Sequence, residues 1–387
     1  MPKVHIPVIG YEQGGRQMLV TSMSPVDLVR MVSKPEAWDP VKTTAHGNRP
    51  RDTAHLKGIV AYLEEEEHFV LGAAVLYLTE KEATFTPAEI PGLTRETDAA
   101  RVGSLSVDIG AKFDIGDGQH RIGAYENIVS TRDEDDPVLQ RLRNSGQPVI
   151  VVIEDDHRRR AQDFADLQRN VKAPTQSMGQ SMDRRQPINR ELGELFDVVP
   201  LFDDRIEYFK DNPGKLSAKL FSFKTVRYVS GLLLVGNAYR SPSSMDKAVN
   251  ALFEGEQAEA SRAKLKEFWT ALGELVRFAD VVDGTIKAPE LRQATYLTSA
   301  GVLYALAYAT YSAQRSGIPL TEAVQALDTV SFDRPTKSEG LTGEDTIFAG
   351  SLIDPDTGKL QAGRTAWETA AKTLLEVIRE KAGEATA

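Results

Sequence analysis

The sequence predicts an α/β N-terminal domain with a mixed β-sheet, followed by a mainly α-helical C-terminal domain. Two observations lead to this prediction. Apolar strand patterns such as Val70–Leu78 and Val149–Ile153 alternate with helical spacing in the first half of the chain, which is the order of elements that produces a parallel or mixed sheet. From Asp246 onward, helical spacing takes over almost completely. We expect the α/β domain over residues 1–200 and the helical domain over residues 201–387.

The first elements are bounded by turn and cap signals. Gly14-Gly15 marks a turn between the apolar stretch Val4–Ile9 and a strand at Met18–Val20. Ser24 before Pro25 is typical of a helix N-cap with proline at the first helical position. The elements predicted next are a polar loop over residues 39–55, a helix over Thr53–Glu67, a strand over Val70–Leu78, and a loop or hairpin connection over residues 83–103.

The pentapeptide Asp117-Gly118-Gln119-His120-Arg121, here called the DGQHR turn, lies between a strand and a helix. Strand patterns over Ser104–Ile109 and Lys112–Ile115 precede it. Apolar residues at helical spacing, from Ile122 to Val129, follow it. The turn therefore comes at the start of a helix, where free backbone N–H groups attract anions.

The side chains of the DGQHR turn suit a phosphate ligand. Gly116 and Gly118 allow another molecule to approach the main chain closely. Arg121 offers a planar fork for phosphate oxygens, and His120 a proton donor near neutral pH. We predict an anion or nucleotide site here; the alternative is an ordinary Asp-Gly turn with surface polarity.

A second polar segment follows the predicted strand Val149–Ile153. It begins with Asp155–Arg160 and continues through Phe164–Lys172. A helix and a strand separate it from the DGQHR turn, which suffices to return the chain to the same edge of the sheet. The alternative interpretation of residues 163–172 is a capped, exposed helix end.

The C-terminal half consists mainly of predicted helices. Trp269 lies outside the apolar stripe of its helix, so we expect it to be a packing residue. The predicted helices cover Phe221–Val235, about 246–253, 258–281, 288–315, 321–328 and Ala366–Lys381.

Composition limits the possible functions. The chain has no cysteine, which excludes disulfides and thiol catalysis. No phosphate-loop motif, zinc-type histidine spacing or Gly-x-Ser-x-Gly elbow is present. The N-terminus lacks the apolar core of a signal peptide, and no apolar run is long enough to span a bilayer. We therefore expect a cytoplasmic protein without a membrane partner.

Charge is distributed unevenly along the chain. The net charge of −10 argues against a generic DNA binder. Residues 141–190, however, carry ten Lys/Arg and six Asp/Glu, a net of +4. We expect this stretch to contact DNA phosphates through Arg158, Arg159, Arg160, Arg184 and Arg185.

The DGQHR turn resembles the signature of the DGQHR-domain family, whose best-known members are the DndB proteins of DNA phosphorothioation gene clusters. The resemblance extends over nearly the whole chain, including an arginine-rich loop with Asn48, Arg49 and Arg51 and a Glu-Leu-Arg sequence at 290–292. It implies a DNA-binding transcriptional repressor that limits phosphorothioate modification. Related family members in deazapurine modification clusters imply the alternative, a nucleotide triphosphatase.

A more remote similarity connects the second segment to ParB partition proteins and to sulfiredoxin. Asp166-Leu167-Gln168-Arg169 is similar to the nucleotide-binding box of ParB. Ala165 stands where ParB has a glutamate, which puts nucleotide hydrolysis in doubt. Gln119 stands where sulfiredoxin has its reactive cysteine, which excludes that chemistry.

These resemblances assign expected roles to individual residues. The expected ligand is ATP or another nucleotide triphosphate with Mg²⁺, and the candidate partners are DNA, other proteins of the modification cluster, and a second copy of this chain. Nucleotide binding is expected from Gly118, Gln119, His120, Arg121, Gln168, Arg169 and Asn170, catalysis from Asp117, His120 and Asp166, and metal binding from Asp117 and Asp166.

Overall fold

The computed structural model describes residues 2–34, 51–89, 100–169, 173–335 and 342–386. The chain divides into two compact units, Met1–Lys172 and Ala173–Ala387. The sequence pattern places this change later, after residue 200.

The N-terminal unit contains a seven-stranded mixed sheet. Its strands are β1 Lys3–Gln13, β2 Arg16–Met23, β3 Ala74–Leu78, β4 Ala83–Pro87, β5 Ala100–Asp108, β6 Asp114–Asp117 and β7 Gln147–Ile153. Their order in the sheet is β4-β5-β1-β2-β7-β3-β6. β3 and β7 pair in parallel, and every other pair is antiparallel. Its helices are α1 Pro25–Met31, α2 Thr53–Glu65, α3 Gln119–Thr131, α4 Pro137–Arg143 and α5 His157–Arg169.

The two faces of this sheet are covered differently. Alternate residues of each strand point to opposite faces, so Leu76 packs with the helices α1 to α4 in the main core. Tyr77 belongs to the small cluster on the other face. There the Arg160 guanidinium of α5 lies 5.2 Å from the Tyr77 ring centroid.

Most predicted N-terminal elements are confirmed, and one is wrong in part. Gly14 and Gly15 both have positive φ and form the β1–β2 turn, and Pro25 begins α1. The predicted strand at Val70–Leu78 is wrong in its first four residues, because β3 begins only at Ala74 and Val70 is 85% exposed. Of the two alternatives for residues 83–103, the hairpin is confirmed, since β4 pairs antiparallel with β5.

The C-terminal unit is built mainly of helices around one apolar core. Trp269 is fully buried in it and donates its indole N–H to Ser230 Oγ at 3.1 Å, which confirms the packing role. Its elements are α6 Gln176–Met182, α7 Pro187–Val198, β8 Ile206–Glu207, β9 Phe221–Ser222, α8 Phe223–Val235, α9 Pro242–Ala251, α10 Ala258–Gly273, α11 Val276–Val282, α12 Ala288–Ala294, α13 Ala300–Arg315, α14 Leu320–Ala326 and α15 Arg364–Thr386.

Two long predicted helices are interrupted. The one expected at 258–281 ends at Gly273 and resumes at Val276, and the one at 288–315 is broken between Ala294 and Ala300. At the second break, the Tyr296 backbone N–H donates to the Phe332 carbonyl instead of continuing a helix. Among the described residues, none of the helices combines the length and the apolar character needed to cross a bilayer.

Candidate anion-binding site

The DGQHR turn joins the edge strand β6 to helix α3, as predicted. Gly118 is the N-cap of α3, with a left-handed φ of 94°, and no side chain caps the helix. A Cβ atom at Gly118 would lie 3.1 Å from the Cβ of Ala74, and one at Gly116 would lie 2.4 Å from the ring of Tyr77. Both glycines are therefore required where the chain passes from β6 into α3.

Arg121 folds back over Gly118. Its Nη2 donates to Asp117 Oδ2 at 2.8 Å and to the carbonyl of Ala73 at 3.2 Å. The side chain is only 20% exposed, and its buried Nε has no hydrogen-bond acceptor. Since a buried donor without an acceptor is costly, Arg121 retains the capacity to bind an oxygen of a ligand.

His120 has a different role from the predicted proton donor. Its side chain is buried, and its Nε2 accepts a hydrogen bond from the backbone N–H of Asp52 at 2.8 Å. This bond requires Nε2 to be unprotonated, so the prediction that His120 donates a proton is wrong for that nitrogen. The ring also meets His55 edge-on, with centroids 4.9 Å apart.

The contact through His120 brings the N-terminal turns of α2 and α3 together. Asp52 caps α2, and its carboxylate accepts the N–H groups of Ala54 and His55. The backbone hydrogen bonds from His55 and Ala54 lower the pKa of Asp52 below its ordinary value. Each helix is 13 residues long, so each N-terminus carries a partial positive charge. At α2 the Asp52 carboxylate already offsets that charge, whereas no side chain caps α3.

Arg51 adds a second guanidinium beside α3. Its Nη1 donates to Glu126 Oε2 at 2.9 Å, while its buried Nε has no acceptor. Gly123 makes room for it, since a Cβ there would lie 3.2 Å from Arg51 Cζ. Asn48 and Arg49, expected in the same loop, lie outside the described residues.

A buried hydrogen-bond chain holds the other side of α3 in place. The Tyr125 hydroxyl donates to Gln147 Oε1 at 2.6 Å, and Gln147 Nε2 donates to the carbonyl of Gly72 at 2.9 Å. Burial raises the pKa of Tyr125 to about 12. No sequence pattern indicates these hydrogen bonds, because they join residues that are far apart in sequence.

The second polar segment is anchored at the other end of the sheet. In α5, Arg160 Nη1 donates to Asp114 Oδ2 at 2.8 Å, at the start of β6. Asp163 accepts from Arg16 at the start of β2 and from the Tyr77 hydroxyl. These contacts place α5 against the edge strand β6, so the expected return to the same sheet edge is confirmed. They lie at the start of β6, however, at the opposite end of the strand from Asp117.

The predicted metal pair is not assembled around the DGQHR turn. Asp117 is paired with Arg121, and Asp166 accepts a hydrogen bond from Gln162 within α5. In the part of the chain that the structure describes, no three His, Cys, Asp or Glu side chains form a group that could hold a metal. Asn170 and the side chains of Gln168 and Arg169 lie outside the described residues.

The predicted DNA-contacting arginines differ in exposure. Arg160 is buried at 7% exposure and pairs with Asp114, so its predicted role as a DNA contact is wrong. Arg159 is 66% exposed and lies 3.7 Å from Glu154. The remaining three, Arg158, Arg184 and Arg185, are exposed.

Comparison with known proteins gives one match. A family model described as DndB, DNA-sulfur modification-associated, matches residues 6–376. No curated protein and no solved structure matches the chain.

Proposed function

This chain belongs to the DndB family of DNA-sulfur-modification-associated proteins, and we propose that it is a DNA-binding regulator of a DNA phosphorothioate modification system. We further propose that the DGQHR turn binds the phosphate groups of ATP or another nucleotide. Nucleotide binding there would set the conformation in which the protein represses transcription.

The observation that carries the nucleotide proposal is the position of Arg121 beside the N-terminus of α3, which no side chain caps. Helix N-termini are ready-made sites for phosphate groups, and the Asp52 N–H to His120 Nε2 bond fixes this one against the start of α2. The buried Nε of Arg121 lacks an acceptor. A phosphate oxygen would supply one, through a charge-assisted hydrogen bond.

The residues present fit a phosphate better than a metal. Mg²⁺ that accompanies a nucleotide is held by the phosphate oxygens and by water, and Asp117, the carboxylate of the turn, already pairs with Arg121. We therefore assign phosphate binding to the backbone at 119–121 and to Arg121, and no metal ligand to the turn itself.

Regulation is favoured over nucleotide hydrolysis by what Asp117 and His120 do. A triphosphatase would need Asp117 for a metal or His120 for proton transfer. In the structure Asp117 pairs with Arg121, and His120 accepts a hydrogen bond from the backbone N–H of Asp52. Both side chains stabilise the turn, which suits a binding site.

DNA binding is proposed from the exposed arginines of the basic stretch. Arg158, Arg159, Arg184 and Arg185 are exposed in a chain of net charge −10, and exposed arginines bind phosphates electrostatically. We also propose that the N-terminal domain is related in fold to ParB and sulfiredoxin. The glycine-containing turn at the N-terminus of α3 supports this relationship.

Calorimetric titration with ATP, GTP and CTP, with and without Mg²⁺, tests the proposed function. We expect one nucleotide to bind without Mg²⁺, without phosphate release, and to change the affinity for DNA from the promoter of the modification genes. Rapid, Mg²⁺-dependent phosphate release would instead establish the triphosphatase. Absence of both nucleotide and DNA binding would refute the proposal.

A further inference from the structure

The C-terminal unit contains a cleft whose lining residues lie between Gln176 and Trp367 and do not include the DGQHR turn. Its volume is about 680 Å³, within the usual range for small-molecule sites. Residues of α8, α9, α13 and α15 line it, together with the segment Leu360–Gly363. The size and the number of contributing elements make it a candidate ligand site.

The lining of this cleft is strongly cationic. Among the described residues that line it, only Asp246 is acidic. Five of those residues are basic: Lys224, Arg227, Arg292, Arg334 and Arg364. The surplus of positive charge is unusual in a chain whose net charge is −10.

Carboxylates compensate three of these five cations. The pairs are Arg227 with Asp246, Arg364 with Glu368 at 2.6 Å, and Lys224 with Asp211 at 3.8 Å. Within the described residues, no carboxylate pairs with Arg292 or Arg334. These two guanidinium groups are therefore the candidates in the cleft for binding an anionic ligand.

Carbonyl groups and a ring hold the side chains of Arg292 and Arg334 in the lining of the cleft. Arg292 Nη1 donates to the carbonyls of Lys215 and Ser217 at 3.0 and 3.1 Å. Arg334 Nε donates to the carbonyls of Arg292 and Thr295 at 3.3 and 3.0 Å. These acceptors orient the two side chains without neutralising them.

The environment of the two arginines strengthens their attraction for an anion. The Arg334 guanidinium lies 4.2 Å from the centroid of the Tyr296 ring, a cation–π arrangement. Burial lowers the pKa of both Arg292 and Arg334 below the usual value, which reflects charge removed from water. A half-buried charge without a counter-ion is costly, and a bound phosphate would relieve that cost.

The opposite wall of the cleft is aromatic. The rings of Tyr228 and Tyr304 meet edge-on at 4.6 Å, and Tyr304 meets Trp367 at 6.2 Å. Such rings are surfaces against which a flat base can pack. A cation pair alone would suit any anion, whereas the combination suits an anion attached to an aromatic ring.

Helix α13 begins at the cleft. Its 16 residues start at Ala300, and its N-cap, Ser299, makes no side-chain cap bond. Ser299 Oγ donates instead to the Tyr296 carbonyl at 2.6 Å. The first N–H groups of α13 therefore add donors that favour a phosphate on the same side as the arginines.

We propose that this cleft binds a nucleotide unit, with the phosphate on Arg292 and Arg334 and the base against the partly exposed rings of Tyr228 and Tyr304. The unit could come from a free nucleotide or from a DNA strand, because the recognised chemistry is the same. This inference does not depend on the anion site at the DGQHR turn, since the two involve different residues and can fail separately.

Titration of the full-length protein with dAMP, inorganic phosphate and a short single-stranded oligonucleotide tests the proposal. We expect Arg334→Gln to weaken dAMP binding at least tenfold. Arg315→Gln removes the same charge from the far end of α13, where Arg315 is exposed, and should leave affinity unchanged.

The probes separate the two sources and the competing outcomes. Tighter binding of the oligonucleotide than of dAMP identifies DNA, and the reverse identifies a free nucleotide. Equal affinity for phosphate and dAMP would overturn the assignment of a base to the aromatic wall. Full affinity in Arg334→Gln, or no binding by the unmodified protein, would overturn the proposal.

A second variant guards against a folding defect in Arg334→Gln. Lys224 lies 3.8 Å from its only ion-pair partner, Asp211, so Lys224→Gln should fold normally, with an unchanged melting temperature. We expect it to weaken dAMP binding several-fold. Unchanged dAMP affinity in a folded Lys224→Gln protein would count against the proposal even if Arg334→Gln could not be purified.

Discussion

Asp117 competes with any ligand for the guanidinium of Arg121. Their ion pair, 2.8 Å long, closes the turn over Gly118. The two side chains are 34% and 20% exposed, so water screens the pair and its removal should cost no more than about 1 kcal/mol. A phosphate that approaches the N-terminus of α3 must share Arg121 with Asp117.

We expect Asp117→Asn to strengthen nucleotide binding several-fold. The amide oxygen can still accept from Arg121, but the competing negative charge is gone, so the guanidinium is available to a phosphate. Calorimetric titration in the absence of Mg²⁺ measures the change. If Asp117 instead holds a metal, Asp117→Asn would abolish a Mg²⁺-dependent component of binding, and that result would favour the triphosphatase.

Arg121→Ala should lower both nucleotide affinity and stability. Charge-assisted hydrogen bonds contribute about 1.5–3 kcal/mol, so affinity should fall by roughly one to two orders of magnitude. Arg121 also bridges Asp117 and the carbonyl of Ala73, so its truncation removes contacts within the fold. We therefore expect a lower melting temperature as well.

Arg121→Lys is the matched control for that variant. It keeps the charge and loses the planar fork, so it should recover part of the affinity. A drop in melting temperature with unchanged nucleotide affinity in Arg121→Ala would mean that the arginine only stabilises the turn.

At the level of elements, the entry into α3 depends on the backbone of Gly118. Alanine there would hold a left-handed φ of 94° and bring its Cβ within 3.1 Å of the Cβ of Ala74. We expect Gly118→Ala to destabilise the protein by about 1–3 kcal/mol. Gly58→Ala is the control: it lies within α2 with open space around it, and should stabilise by about 0.5–1 kcal/mol. Urea unfolding curves measure both.

Local patterns predicted the elements better than they predicted which elements meet. Strand β6, the DGQHR turn and helix α3 follow from alternation, glycine and helical spacing over about fifteen residues. The direction of β7 relative to β6 does not, because it depends on β3 lying between them. The sequence therefore placed Asp166 beside the turn, whereas α5 is anchored at the other end of the sheet.

The contacts that shape the candidate site also could not be predicted from the sequence. Asp52 and His120 are 68 positions apart, and Tyr125 reaches Gln147 across a buried hydrogen bond. No periodicity encodes such pairs. The same holds for Arg160, which looks like its exposed neighbours Arg158 and Arg159 in sequence but is buried because it faces the sheet.

At the scale of the whole molecule, DNA binding by an acidic protein must rest on few exposed cations. Arg158→Ala combined with Arg159→Ala should weaken binding to all DNA sequences about equally. Each lost phosphate contact should reduce the slope of log affinity against log salt concentration by roughly 0.9. We expect a decrease of up to about two contacts, measured by fluorescence anisotropy over a range of salt concentrations.

Arg160→Ala distinguishes the effect of a buried arginine on stability from the effect of exposed arginines on DNA binding. Its guanidinium donates to Asp114 and to the Glu154 carbonyl, and truncation should destabilise by about 1–3 kcal/mol. Because Arg160 is 7% exposed, the salt dependence of DNA binding should not change. A salt slope that changes in Arg160→Ala, or that stays constant in the double variant, would place the DNA-binding surface elsewhere in the chain.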